Sequence, residues 1–248
     1  MANGLTYLQS LELTANFPFI SANIMDKDGN LLFRPFTISE HDGVKIAFIG
    51  LTSKFNHDDI NIVTPLPALE RVISDADELA DYVVLLFHAD EKDMKLLHKK
   101  DYPIDMVIQS KSTRRAKDGG TAKIPVFQCG SRGKYMYQLD FTIIDSNAPI
   151  VDISKYISVI TTANNGLKRY RNRAKDIDLL EFYKNDSVSL QKINAAQKSM
   201  QNAESNINQA VNMITFEKFE LDKNIIDRPD IEKLVNDALT EIDLLILE

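Results

Sequence analysis

The residues of this 248-residue chain best equipped for chemistry fall in one short stretch, where Lys111, Arg114, Arg115 and Lys117 gather four cations on one segment. Guanidinium and ammonium groups at this spacing offer several donors and full positive charge to a phosphate or carboxylate. The stretch reads either as a small anion-binding loop or as a solvated basic loop. The other polar groups form no catalytic constellation. His41, His57 and His98 occupy turn-like or helix-surface settings with no partners at ligand spacing. Gly130-Ser131-Arg132-Gly133 has the composition of a phosphate loop, but no helix is expected after it, so the amides and dipole of a helix N-terminus are missing. Asp26 with Asp28, and Asp58 with Asp59, read as solvated turns. The single cysteine, Cys129, follows the apolar Val126 and Phe127 and reads as a buried strand thiol rather than a nucleophile.

The elements that must position these groups follow from periodicity. Three short strands are expected at 19–24, 32–38 and 44–49, separated by the turns Asp26-Lys27-Asp28-Gly29-Asn30 and His41-Asp42-Gly43. Apolar residues at helical spacing predict a helix over 67–80. The continuous apolar run 82–87 reads as a strand buried on both faces. A helix through Met94, Leu96 and Leu97 and a strand over 104–108 complete a strand-helix-strand alternation, which points to a layered α/β domain. Further strands are expected at 124–128 and 135–143.

Beyond about Asn164 the composition turns to Lys, Asn, Gln, Ala and Glu. Two long helices are expected, 167–183 and 188–212, broken by Lys184-Asn185-Asp186-Ser187 and able to pack as an antiparallel hairpin. Residues 216–221 alternate like a strand, and Pro229 suits the first turn of a last helix. The terminus, from Ile242 to Glu248, is strongly apolar and calls for a cover, either a continuing polypeptide or another subunit.

Whole-chain properties narrow the classes. Apolar residues at 44% and charged residues at 26% are the balance of a globular protein with a real core. A formal charge of −7 repels phosphate backbones, so nucleic acid is a poor partner. No apolar run approaches the ~20 residues that span a bilayer, and Met1-Ala2-Asn3-Gly4 lacks the basic and apolar regions of a signal peptide.

Three stretches together resemble one family: Ala15-Asn16-Phe17-Pro18-Phe19-Ile20-Ser21-Ala22-Asn23-Ile24, then Val44-Lys45-Ile46-Ala47-Phe48-Ile49-Gly50-Leu51-Thr52, then Gln128-Cys129-Gly130-Ser131-Arg132-Gly133-Lys134-Tyr135. In this order they are similar to the second half of the catalytic domain of 5'-nucleotidase-type, calcineurin-like metallophosphatases. The likeness covers roughly Gly4 to Asp145 and, more loosely, Phe219 to Ala238. It implies an α/β fold: a partial layered sheet sandwich flanked by helices, with a long C-terminal helical hairpin added. Residues 1–163 would form the partial domain and 164–214 the hairpin. Residues 215–248 would supply a strand and a C-terminal helix returning to the domain.

Members of the family hold two divalent metals of the Mn or Zn type, which bind phosphate and activate water. Their first ligands come from Asp-x-His, a later Asp and Gly-Asn-His-Glu, all upstream of the region matched here. The resemblance makes His88 a residual ligand position, the competing reading being a strand-end histidine bonded to backbone. The family's last ligands, in Gly-Gly-His-x-His or Gly-Gly-His-x-Gln, align with Gln109-Ser110-Lys111-Ser112-Thr113, so lysine and threonine stand where donors are needed. An ammonium group repels a cation and has no lone pair to offer. No cofactor is therefore expected in this chain, and Lys111, Arg114 and Arg115 become candidate phosphate partners in place of metal.

Three functions follow as expectations. The chain is a non-catalytic metallophosphatase-like scaffold or fragment acting in binding or assembly; or a fragment of an active phosphoesterase whose first half is missing; or a helical arm for docking itself or another protein through the hairpin and apolar C-terminus. The family resemblance implies a periplasmic or extracellular setting. Some relatives resemble metallophosphatase domains joined to multihaem regions, but no Cys-x-x-Cys-His occurs here.

Overall fold

The computed structural model describes residues 4–111, 123–128, 130, 133–222 and 224–246, with side chains to residue 242. Arg114, Arg115, Lys117 and Cys129 lie outside the described residues. In chain order the elements are α1 (Gly4–Thr14), β1 (Ile24–Met25), β2 (Phe36–His41), β3 (Val44–Thr52), β4 (Asn61–Ile62), α2 (Pro65–Leu69), α3 (Ile73–Leu79), β5 (Tyr82–His88), α4 (Glu91–Leu97), β6 (Met106–Ser110), β7 (Val126–Gln128), β8 (Tyr135–Thr142), β9 (Ile150–Asp152), α5 (Ser154–Ala174), α6 (Leu179–Phe182), α7 (Ser187–Gln209), β10 (Asn212–Glu220) and α8 (Pro229–Ile246).

The main sheet has the order β2-β3-β5-β6-β7. The β2–β3 hairpin is antiparallel, and its turn places Asp42 and Gly43 at φ 50° and 80°, the left-handed pair that two-residue hairpins favour. From β3 onward the strands run parallel. Burial on both faces explains the unbroken apolar run of β5, where Val83, Val84, Leu85 and Phe87 are almost wholly enclosed. One face packs on α2, α3 and α4 through residues such as Ile49, Leu69, Ile73 and Leu97. The other face, through Val84, Met106 and Phe127, meets a three-stranded sheet of order β8-β10-β9 carrying Leu139, Phe141, Ile214 and Phe216. The expected α/β sandwich of sheets flanked by helices is what the chain forms.

Several element boundaries differ from expectation, each for a local reason. Residues 19–24 are not a regular strand: only Ile24–Met25 pairs as β1, because the preceding segment crosses β3 with single backbone bonds, Ser21 N to Arg34 O and Ala22 N to Gly50 O, and an isolated bridge at Ile20 rather than a ladder. The strand expected at 32–38 is displaced to Phe36–His41, where the hairpin sets the register. The helix expected over 67–80 is two pieces, because three-residue turns donate from Arg71 N to Ala68 O and from Val72 N to Leu69 O. The helix expected from Leu167 begins at Ser154 and ends at Ala174. In its first half Ile157 and Val159 are exposed and Tyr156, Ile160 and Ala163 only partly buried, which blurs the apolar stripe. Asn212, expected to end the second helix, opens β10 instead, which pairs with β8 and, in parallel, with β9.

α5 and α7 form the expected antiparallel hairpin, sealed by Leu167, Tyr170, Tyr183 and Ile193. β10 returns to the sheet. Every described side chain of α8 is exposed.

Candidate functional site

Parallel strands β3, β5 and β6 end side by side, and their register aligns Thr52 with His88 and His88 with Ser110. The carboxyl edge of a parallel sheet is where open α/β folds gather ligands, because chain departures there leave a crevice and loops to line it. His88 Nδ1 lies 2.9 Å from Ser110 Oγ. The ring is thus oriented by a neighbouring strand's hydroxyl, not by backbone. Lys111 follows directly, at φ 67°, a left-handed conformation that side chains other than those of Gly, Asn or Asp seldom adopt.

The first two family-like motifs, with Gln128 of the third, build the platform beneath this edge. Asn23 is fully buried; its amide nitrogen donates to Thr52 O (2.7 Å) and Val63 O (2.9 Å), and its oxygen accepts from Thr52 N (3.0 Å). Gly50 allows the same segment to lie on β3: a Cβ there would stand 2.3 Å from Ile20 O, while Ala22 N donates to Gly50 O. Ser53 N donates to His88 O (2.8 Å), and Ser53 Oγ accepts from Asp90 N and donates to Asp93 Oδ2 at 2.6 Å. Asp90 caps α4 by accepting from Asp93 N. On the other side Gln109 donates to Ala89 O (3.0 Å) and accepts from Gln128 Nε2 (2.7 Å). The turn after His88 is therefore held from both neighbouring strands.

Burial, and then the positive charge of Lys111, hold the His88 imidazole below its ordinary pKa. Both causes favour the neutral ring. A pair of divalent cations needs several Asp, His and Asn donors converging at fixed separation. Among the described residues no group of three His, Cys, Asp or Glu side chains converges, and the cation neighbouring His88 is an ammonium group. The donors among the described residues do not fit a dinuclear metal centre. What the edge offers is one neutral imidazole, a hydroxyl and a cation, which is chemistry for receiving an anion.

Comparison with known proteins bears on this arrangement. A 52-residue stretch, 21% of the chain, is 50% identical to protein UshA of Salmonella pullorum, of which it covers 10%. A 41-residue stretch, 16% of the chain, is 56% identical to a 5'-nucleotidase of Vibrio cholerae, covering 7% of it. Over part of its length the chain matches the 5'-nucleotidase-type, calcineurin-like metallophosphatases. The fold agrees with this family. A Staphylococcus aureus structure with a provisional 5'-nucleotidase name, in complex with alpha-ketoglutarate, has a TM-score of 0.50 at 20% identity, over 57% of this chain and 32% of that one. The sulfate thiohydrolase SoxB of Thermus thermophilus also reaches 0.50 at 20% identity, over 56% of this chain and 28% of that one. The matched stretches span about a tenth or less of the length of these curated 5'-nucleotidase-type relatives. No family model matches the chain.

Of the sequence-predicted site residues, the structure brings His88 and Lys111 to one edge, while Arg114 and Arg115 lie outside the described residues. Sequence reasoning missed Ser53, Asp93 and Gln109 as supports and Ser110 as the partner of His88. Their only signal was position, at or just after a strand end for Ser53, Gln109 and Ser110 and in the first turn of a helix for Asp93, which names no partner without the pairing register.

Proposed function

We propose that this chain is a metallophosphatase-derived binding scaffold whose His88–Ser110–Lys111 edge receives an anionic group directly, without metal and without hydrolysing it. The observation that carries this reading is Lys111, a cation in a strained left-handed conformation beside a histidine whose neutral form it favours. Strain retained at a ligand edge is a pointer to function. Lys111 and His88, with Arg114 and Arg115 on the following segment, form the anion-binding group of this reading. The sandwich, residues 1–163 closed by β10, presents it; the α5–α7 hairpin and α8 serve binding or assembly.

The test is metal analysis after loading with manganese or zinc, a phosphatase assay with a generic aryl phosphate, and calorimetry with inorganic phosphate. The reading expects sub-stoichiometric metal, no turnover, and phosphate binding that is lost in Lys111→Ala. Two bound metals with turnover would overturn it.

A second reading makes the chain part of an active phosphoesterase within a longer polypeptide. The 50% and 56% identities to UshA and a 5'-nucleotidase favour it. The same metal and turnover measurements on that polypeptide separate the two.

A further inference from the structure

α8 is an amphipathic helix whose described side chains are all exposed, with no described element packed over its apolar face. Ile231, Leu234, Val235, Ala238, Leu239 and Ile242 recur at helical spacing along one face, yet the five large ones are each about half exposed or more. An isolated helix of this length with a bare apolar stripe is marginal in water, so a partner surface is called for. Its sequence carries five acidic residues, Asp230, Glu232, Asp237, Glu241 and Asp243, against the single cation Lys233.

A surface of the complementary kind lies on the helical hairpin. Between α5 and α7 is an open groove of about 370 Å³ lined by Ser158, Val159, Thr162, Ala163, Ala195, Ala196 and Ser199. Val159 and Ile157 beside it are exposed. α5 carries Lys155, Lys168, Arg169, Arg171 and Arg173 and no acidic residue. At 1.5 Å per residue α8 is about 27 Å long and α5 about 32 Å, so one helix can lie along the other and meet both groove and cations.

The linker between β10 and α8 decides which copy supplies the helix. Among its described residues it is locally bonded: Asp222 accepts from Asn224 N (2.8 Å) and from Asn224 Nδ2 (3.0 Å), Ile225 N donates to Asp222 O, and Arg228 clamps Asp230 at the helix start. These local bonds set α8 off the body as an arm. We propose that α8 of one copy docks in the α5–α7 groove of a second copy, and reciprocally, giving a two-fold dimer by exchanged helices. Such an isologous exchange buries both apolar stripes and both grooves at once and pairs acidic with basic helices. This inference is independent of the His88–Lys111 edge, and neither its success nor its failure bears on phosphate binding.

Light scattering coupled to size exclusion on the full chain, over a concentration series, tests it. The wild type is expected to show the mass of two copies, falling toward one copy as salt is raised. Leu234→Asp removes the helix face, and Thr162→Glu with Ser199→Glu fills the groove and repels α8. Each should be monomeric, with far-ultraviolet circular dichroism that loses no more than the helicity of α8. Mixing the two variants should restore a two-copy species, because one retains the groove and the other the helix. A wild type monomeric at every concentration would overturn the proposal. So would a dimer indifferent to the groove substitutions, or variants that keep their helicity yet fail to complement.

Discussion

At the scale of single residues, the family-like motifs are structural and the chemistry sits between them. Gly50 is glycine because the chain carrying Ile20 passes where a Cβ would be. Gly50→Ala is expected to cost about 2–3 kcal/mol, the range for forced overpacking. Denaturant unfolding would read this as a lower midpoint at unchanged slope. Asn23→Ala leaves the buried polar groups of Thr52 and Val63 without partners and should cost about 3 kcal/mol by the same measurement. His88 gives a pH prediction. Its folded pKa lies below the ordinary histidine value, so the unfolded chain binds the proton more readily in that window. Its contribution to stability is therefore present above about pH 6.5 and lost as pH falls through the folded pKa. Proton NMR should find the His88 midpoint below the ordinary histidine value of about 6.5. Lys111→Gln should move it upward, and an unmoved midpoint would disconnect the two residues.

At the scale of elements, the turn between β5 and α4 positions His88, and Ser53 holds it from the end of β3. Ser53→Ala removes the acceptor for Asp90 N and the donor to Asp93. A loss of about 1–2 kcal/mol is expected. A broadened His88 resonance should accompany it, since the loop would no longer be pinned. Strand β5 and the hairpin helix α7 were legible because each repeats one pattern over enough residues. α5 was legible only in its C-terminal half. There Leu167 and Tyr170 are buried, whereas in the first half Tyr156, Ile160 and Ala163 are only partly buried and Ile157 and Val159 are exposed, so the apolar face is diluted. β9 was not legible at all: three residues hold no period, and their pairing partner lies some sixty positions away in β10.

At the scale of the whole molecule, one buried side chain ties the small sheet to the large one. The Asn212 amide nitrogen lies within hydrogen-bond range of Tyr82 Oη (2.8 Å) on β5 and of Asp145 O and Ala148 O, while its oxygen accepts from Ile144 N and Asp145 N. Asn212→Leu keeps the volume but strands these groups. An expected loss of about 3 kcal/mol follows from the unpaired backbone alone. Hydrogen exchange should show earlier opening of β8 and β10 than of β3 and β5.

The sequence by itself determined the α/β class, the buried central strands, the helical hairpin and the 5'-nucleotidase-type resemblance. All of these rest on local periodicity or on contiguous motifs, which a linear chain displays openly. Only the tertiary structure decided that Ser110 orients His88, that Ser53 and Gln109 brace the turn behind it, and that Asn212 opens a strand rather than closing a helix. Each of these depends on register between strands distant in sequence. A one-residue shift of register would turn every one of those side chains to the other face, and no local pattern records which register the packed core selects.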